Sequence, residues 1–360
     1  MITKPLTLVV GLAASALLVG GVAANPATAT KPGSGSSLGT ARIFKVNPIQ
    51  SSGIQSLTDD KDSADAVPAS EYATVVLRNL DGSGRLSGKW ANVRTSTGTP
   101  AYSASNEFIF DRDQDQFEQT MAYFWVNEAQ EYLQSLGFTG QPEQLPAILK
   151  RPYDVRVGQY GLDNSYMWSK HDYIRLGKGG VDDAEDAEVI VHEYGHAIHH
   201  DQVDGFGEGL DAGAIGESFG DYFAVSVGLA AEERYGWTTG AEQACPMDWD
   251  AASYTDAPHC IRSFATNRTV ETRFGRIHAD GQIWSQALWE IRQGYDAMDG
   301  KSTRDWDTTL ILSQFEYAPD TTWQEAAKET YLVAQARDGQ TAADVVRAKF
   351  ALRGIEFTAP

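Results

Sequence analysis

VDDAEDAEVIVHEYGHAIHH, residues 181–200, decides how the rest of this chain is read. The apolar residues Val189, Ile190, Ala197 and Ile198 fall at helical spacing, so the stretch reads as one helix. Asp182 and Asp183 are expected to cap its start and supply acidic first-turn residues. On a helix, His192 and His196 stand one turn apart on the same side, so their imidazoles can converge on one metal ion. Glu193 follows the first histidine directly. Two imidazoles plus an adjacent carboxylate form the H-E-x-x-H arrangement, in which the histidines hold zinc and the glutamate acts as general base toward water.

The motif needs a third ligand. One route extends it to H-E-x-x-H-x-x-G-x-x-H, but His199 stands at the glycine position and Gln202 at the last histidine position. His199 and His200 lie round the helix from the ligand face and read as packing or surface residues. The other route is a carboxylate on a second helix. GAIGESFGDYFAVSVGLAAEE, residues 213–233, is helical in pattern and places Glu217 in its first turns, with Asp221 one turn later. Glu217 would complete a His₂Glu site, and Asp221 would accept a hydrogen bond from the far nitrogen of a ligand histidine. Both acids sit among apolar and small residues, where burial without such partners is unfavourable. Gly195 inside the motif helix disfavours the helix by ~1 kcal/mol relative to Ala and would let a second helix approach.

Outward from this block the chain divides by pattern. Lys4 followed by the apolar run 6–24 and small-residue sites reads as a secretory signal over 1–29, the alternative being an uncleaved anchor. Residues 30–69, rich in Ser, Gly, Asp and Pro, read as a linker or loosely ordered arm, with ARIFKV as a possible strand. Alternation from Tyr72 to about Phe110, interrupted by DGSG, suggests a hairpin. Phe117, Met121, Phe124, Trp125, Tyr132, Leu133 and Leu136 form the stripe of a core helix that stops at Gly137. Strand patterns return over 153–177, and helical patterns dominate from Asp182 onward. The expected fold class is α+β: a β-rich lobe over 70–205 ending in the motif helix, and a mainly helical lobe over 206–360.

The 360-residue chain has a formal charge of −20, which disfavours nucleic acid and anionic membranes as partners. Its two cysteines, Cys245 and Cys260, are expected to form one disulfide in an exported chain, the alternative being two reduced thiols. Closing so short a loop stabilises by ~3 kcal/mol in the chain-entropy model. DRDQDQ at 111–116 spaces three aspartates alternately but lacks the glycine of a calcium loop, so calcium is a weaker expectation than zinc.

Three blocks in order, VDDAEDAEVIVHEYGHAIHH, GESFGDYFA and RIHADGQIWSQALWEI, resemble the thermolysin-like zinc proteases (gluzincins), and the fungalysin branch in particular. The resemblance implies a two-lobed zincin fold with the motif helix at the base of a cleft. It implies one zinc ion on His192, His196 and Glu217, with Glu193 as base and Asp221 orienting His192. It further implies that His278 donates to the tetrahedral oxyanion, that DNSYMW is an edge strand that pairs with substrate backbone, and that Asn164 binds substrate. The implied activity is a secreted zinc metalloendopeptidase acting on protein or peptide substrates. Two features depart from the pattern. Arg273 stands where an acid orients the oxyanion histidine, so that Glu271, Asp280 or nothing serves. A tyrosine expected between His196 and Glu217 is missing. The alternatives are a catalytically silent zinc module, a zinc exopeptidase, and a helical structural protein with an accidental motif.

Overall fold

The segment ARIFKV shows how the fold begins. Alternation buries Ala41 and Ile43, Phe44 follows them inward, and the run becomes strand β1 (Gly39–Phe44). The structure, a computed structural model, describes residues 37–358 apart from 160 and 242; the leader expected over 1–29 lies outside the described residues. From residue 39 the segment read as a loose arm forms strand β1 over part of ARIFKV, a short helix and two 3₁₀ turns. β1 is the central strand of a three-stranded sheet, and helix α1 (Pro48–Ser52) follows it. Asn47 caps α1 by accepting from the Gln50 N–H at 2.7 Å. The buried Arg112 then clamps the next stretch, donating to the carbonyls of Asp59 at 2.7 Å and Ser63 at 3.2 Å while its Nε meets Glu185. The polar composition of 30–69 hid these long-range partners.

Strand β2 (Tyr72–Leu77) pairs antiparallel with β1 and β3 (Ala91–Thr95) joins a different sheet, so the expected hairpin is reduced to an antiparallel bridge between Leu80 and Gly88 across the DGSG turn. The short β4 (Glu107–Phe108) lies parallel to β1 on its other side, giving the order β2-β1-β4. Helix α2 (Asp115–Ser135) buries the predicted stripe, from Phe117 through Leu133. Strands β5 (Tyr153–Gln159), β6 (Tyr166–Trp168) and β7 (Tyr173–Gly177) complete a four-stranded sheet of order β3-β5-β7-β6. β6 is its edge, antiparallel to β7, within the DNSYMW segment.

The motif helix is α3 (Ala187–Gln202), and its N-cap is Asp186, which accepts from the Glu188 N–H at 2.9 Å. Asp183 instead opens a separate 3₁₀ turn, which corrects the expected capping role and leaves its carboxylate for other work. α4 (Gly209–Tyr235) crosses α3 closely enough that a Cβ on Gly195 would stand 2.9 Å from the Gly220 Cα. Five further helices follow: α5 (Asp248–Ala251), α6 (Ile277–Asp296), α7 (Thr303–Ser313), α8 (Trp323–Asp338) and α9 (Gln340–Leu352). The architecture is α+β, and one apolar cluster runs from Ile43 in β1 to Phe350 in α9. The proposed lobe boundary at 205/206 falls in the turn between α3 and α4. Among the described residues, no helix is long and apolar enough to cross a membrane.

Candidate metal centre and active site

The Gly195–Gly220 crossing brings the acids of α4 against the histidines of α3. Gly220 itself has no room for a side chain, because a Cβ there would stand 2.6 Å from His192 Nδ1. His192 Nε2 and His196 Nε2 face one another at 3.1 Å. Glu217 Oε2 lies 3.4 Å from His192 Nε2, and its Oε1 lies 3.7 Å from His196 Nε2. These three residues offer ligand atoms that all lie within 4.8 Å of one another. His192 Nδ1 is 2.8 Å from Asp221 Oδ1, a contact that puts the proton on Nδ1 and turns the Nε2 lone pair toward the other two ligands. Two imidazole nitrogens converging on a carboxylate oxygen fit a zinc-type ion in donor set and spacing.

Glu193 lies one residue beyond the first histidine, 5% exposed, and its Oε2 has no protein partner. Burial pushes its carboxyl up to about 7, with the charge of His192 opposing and that of Glu217 adding to the rise. His278 occupies the first turn of α6, exposed, with Nε2 3.4 Å from Glu217 Oε2. Asn164 precedes β6 and lines the cavities on both sides of Glu193. His199 is buried between the rings of Phe206 and Phe219, in agreement with its reading as packing.

Neither acid weighed as an orienting partner reaches His278 by a hydrogen bond. Asp280 accepts the backbone N–H groups of Phe274 at 2.7 Å, Gly275 at 2.7 Å and Arg276 at 3.1 Å, so it shapes the loop that leads into α6. Glu271 lies in an exposed 3₁₀ turn, and Arg273 reaches Asp211 at 3.4 Å. Arg262, which carries no motif signal in the sequence, donates from Nε and Nη2 to Asp221 at 2.6 Å each. It lies two residues past Cys260, which a disulfide joins to Cys245 with the Cα atoms 5.1 Å apart.

The calcium expectation at 111–116 finds no converging carboxylates. Asp111 pairs with Arg42, and Asp115 pairs with Lys178 at 2.9 Å. Among the described residues a second acidic group does converge, Asp163, Asp183 and Asp250, on the cavity shared with Glu193.

The fold and this site together define a thermolysin-like metalloprotease architecture. The precursor of protealysin, a metalloproteinase from Serratia proteamaculans, aligns with a TM-score of 0.52 at 16% identity, covering 73% of this chain and 87% of that one. The fungalysin metallopeptidase (M36) model matches residues 146–348, and the chain belongs to that family. Similar curated proteins include extracellular metalloproteinase 9 of Uncinocarpus reesii, 28% identical over 144 residues, which cover 37% of this chain and 21% of that protein. Extracellular metalloproteinase 1 of Arthroderma gypseum is 24% identical over 154 residues, 37% of this chain and 21% of that protein. The chain thus spans about a fifth of the length of these curated relatives.

Proposed function

We propose that this chain is a secreted zinc-dependent endopeptidase. The observation that carries the reading is a buried carboxylate, Glu193, whose Oε2 has no partner and which shares a cavity with His192 and Glu217. His192, His196 and Glu217 hold the ion. A zinc ion bound there supplies Lewis acidity toward the scissile carbonyl and lowers the pKa of water. Glu193 takes a proton from the attacking water and delivers it to the leaving amine. Asp221 holds His192 in the required tautomer, and Arg262 holds Asp221. His278 donates a hydrogen bond to the developing oxyanion. Asn164 and the edge strand β6 bind substrate backbone, since an edge strand offers unpaired N–H and C=O groups to an extended peptide. The extracellular naming of the relatives supports secretion, as does the leader-like pattern of 1–29.

A catalytically silent zinc module is the second reading, and Glu193 argues against it: a module that only binds metal has no use for a buried acid that keeps one oxygen unpartnered beside the ligands. The test is digestion of a peptide library by zinc-loaded protein, with and without chelator, alongside metal analysis. Chelator-sensitive cleavage inside peptides supports the proposal. Trimming from one end only would make the chain an exopeptidase, and a zinc-loaded chain with no cleavage would make it the silent module.

A further inference from the structure

The cavity that holds Glu193 and Glu217, about 360 Å³, is also lined by Asp163, Asp183 and Asp250. One oxygen from each of these aspartates lies within 4.8 Å of the others. Asp183 and Asp250 are 3% and 7% exposed, yet Oδ1 of each has no hydrogen-bond partner in the protein. Their second oxygens meet hydroxyls: Ser165 Oγ donates to Asp183 Oδ2, and Tyr254 OH donates to Asp250 Oδ2 at 2.7 Å. Arg262 is a cation in the same wall, but its Nε and Nη2 are given to Asp221. Burial raises Asp183 to about 8, with the neighbouring charge of Asp250 adding to it. Arg262 therefore acts on Asp250 through its charge alone, and buried acids that repel one another with no hydrogen-bonded cation are completed by one brought from outside.

The rest of the wall indicates which cation. Val189, Met247 and Ile261 line the same cavity with apolar surface. A lysine or arginine side chain matches both features, with an apolar stem and a charged head. A bare metal ion makes no use of the apolar part. The pocket also adjoins the reacting atoms, because Glu193, His192 and Glu217 line the same cavity as Asp183 and Asp250.

We propose that Asp183 and Asp250, with Asp163 at the exposed rim, form a specificity pocket for a lysine or arginine side chain adjoining the scissile bond. This rests on the peptidase reading and names its substrate class.

The test starts from a peptide that the full zinc-loaded chain cleaves. Lys, norleucine and Glu are exchanged at each of the two residues adjoining the cleaved bond. At one of those positions kcat/KM for Lys exceeds that for norleucine by at least about tenfold, with Glu lowest. Asp183→Asn combined with Asp250→Asn lowers the rate on the Lys peptide and raises it on the norleucine peptide, so the ratio approaches one. Asp183→Glu, which keeps the charge, retains the preference. Should the double variant fail to fold, calorimetric binding of the same Lys and norleucine peptides to Glu193→Gln protein carries the comparison without turnover. There the Lys peptide binds at least about tenfold tighter. Equal cleavage of Lys and norleucine peptides overturns the pocket while leaving the peptidase reading intact. A chain that cleaves nothing overturns the peptidase reading, and the binding arm still decides the pocket. Tight calcium binding that the double variant loses, together with no side-chain preference, overturns the proposal in favour of a metal site.

Discussion

Asp221 and Asp183 are both buried aspartates beside α3, and they end on opposite sides of the ordinary carboxylate range. Burial works to raise Asp221, but the guanidinium of Arg262 and the bond to His192 outweigh it and hold the carboxyl low. Burial also raises Asp183, and there the nearest strong charge is another acid, Asp250, so the carboxyl goes up. Desolvation acts alike in both places; the neighbours decide the outcome. One region is internally balanced and poised to hold an ion rigidly. The other is left acidic toward an open cavity, the condition of a pocket that waits for a cationic partner.

The largest effect expected from the balanced region is on chemistry. Glu193→Gln lowers kcat by ~10²–10⁴-fold while zinc content and melting temperature stay near wild type, because the amide keeps the shape but cannot accept the proton. Turnover within a few-fold of wild type would falsify the general-base role. His278→Ala lowers kcat by ~10²–10³-fold with little change in KM, since an oxyanion donor acts mainly in the transition state. Its zinc content is unchanged, and an alanine variant of near-normal kcat would return His278 to the role of a surface residue.

A smaller effect sharpens the contrast directly. Asp221→Asn removes the charge that balances Arg262 and weakens the hold on His192, so zinc affinity falls ~10–100-fold in a chelator competition. Unaltered affinity would mean that Asp221 only supports the packing around Arg262. The smallest expected effect lies in the acidic region and depends on pH. The folded-state value of Asp183, about 8, lies above its ordinary 3.8, so the folded chain retains a proton that the unfolded chain has lost. Stability from this group is therefore intact below the unfolded value and is lost as pH rises through the folded one. The drop in urea midpoint between about pH 5 and about pH 8 is accordingly shallower in Asp183→Asn than in wild type. An identical drop in both proteins would show that Asp183 is not strained by its surroundings.

The helical spacing of His192 and His196 was legible because it is a local property of α3, and Glu217 and Asp221 were legible because they repeat one turn apart on α4. The stripe of α2 was legible for the same reason. β1 was blurred, since a six-residue strand in a polar stretch carries little periodic signal and gains its stability from β2 and β4. The hairpin survives only as the Leu80–Gly88 bridge, because alternation marks a strand but does not say which sheet receives it.

By itself the sequence determined the class of chemistry, because one helical turn suffices to align two imidazoles and a neighbouring carboxylate, and it determined the α+β character through local period. Only the tertiary structure decided the surroundings. Arg262 meets Asp221 across 41 residues of chain, and Asp183 joins Asp250 from a different turn of the backbone. No local pattern encodes such meetings. They follow from how the glycine-lined crossing of α3 and α4 and the loop closed by Cys245 and Cys260 bring distant side chains together, and the charge of each site is the sum over those arrivals.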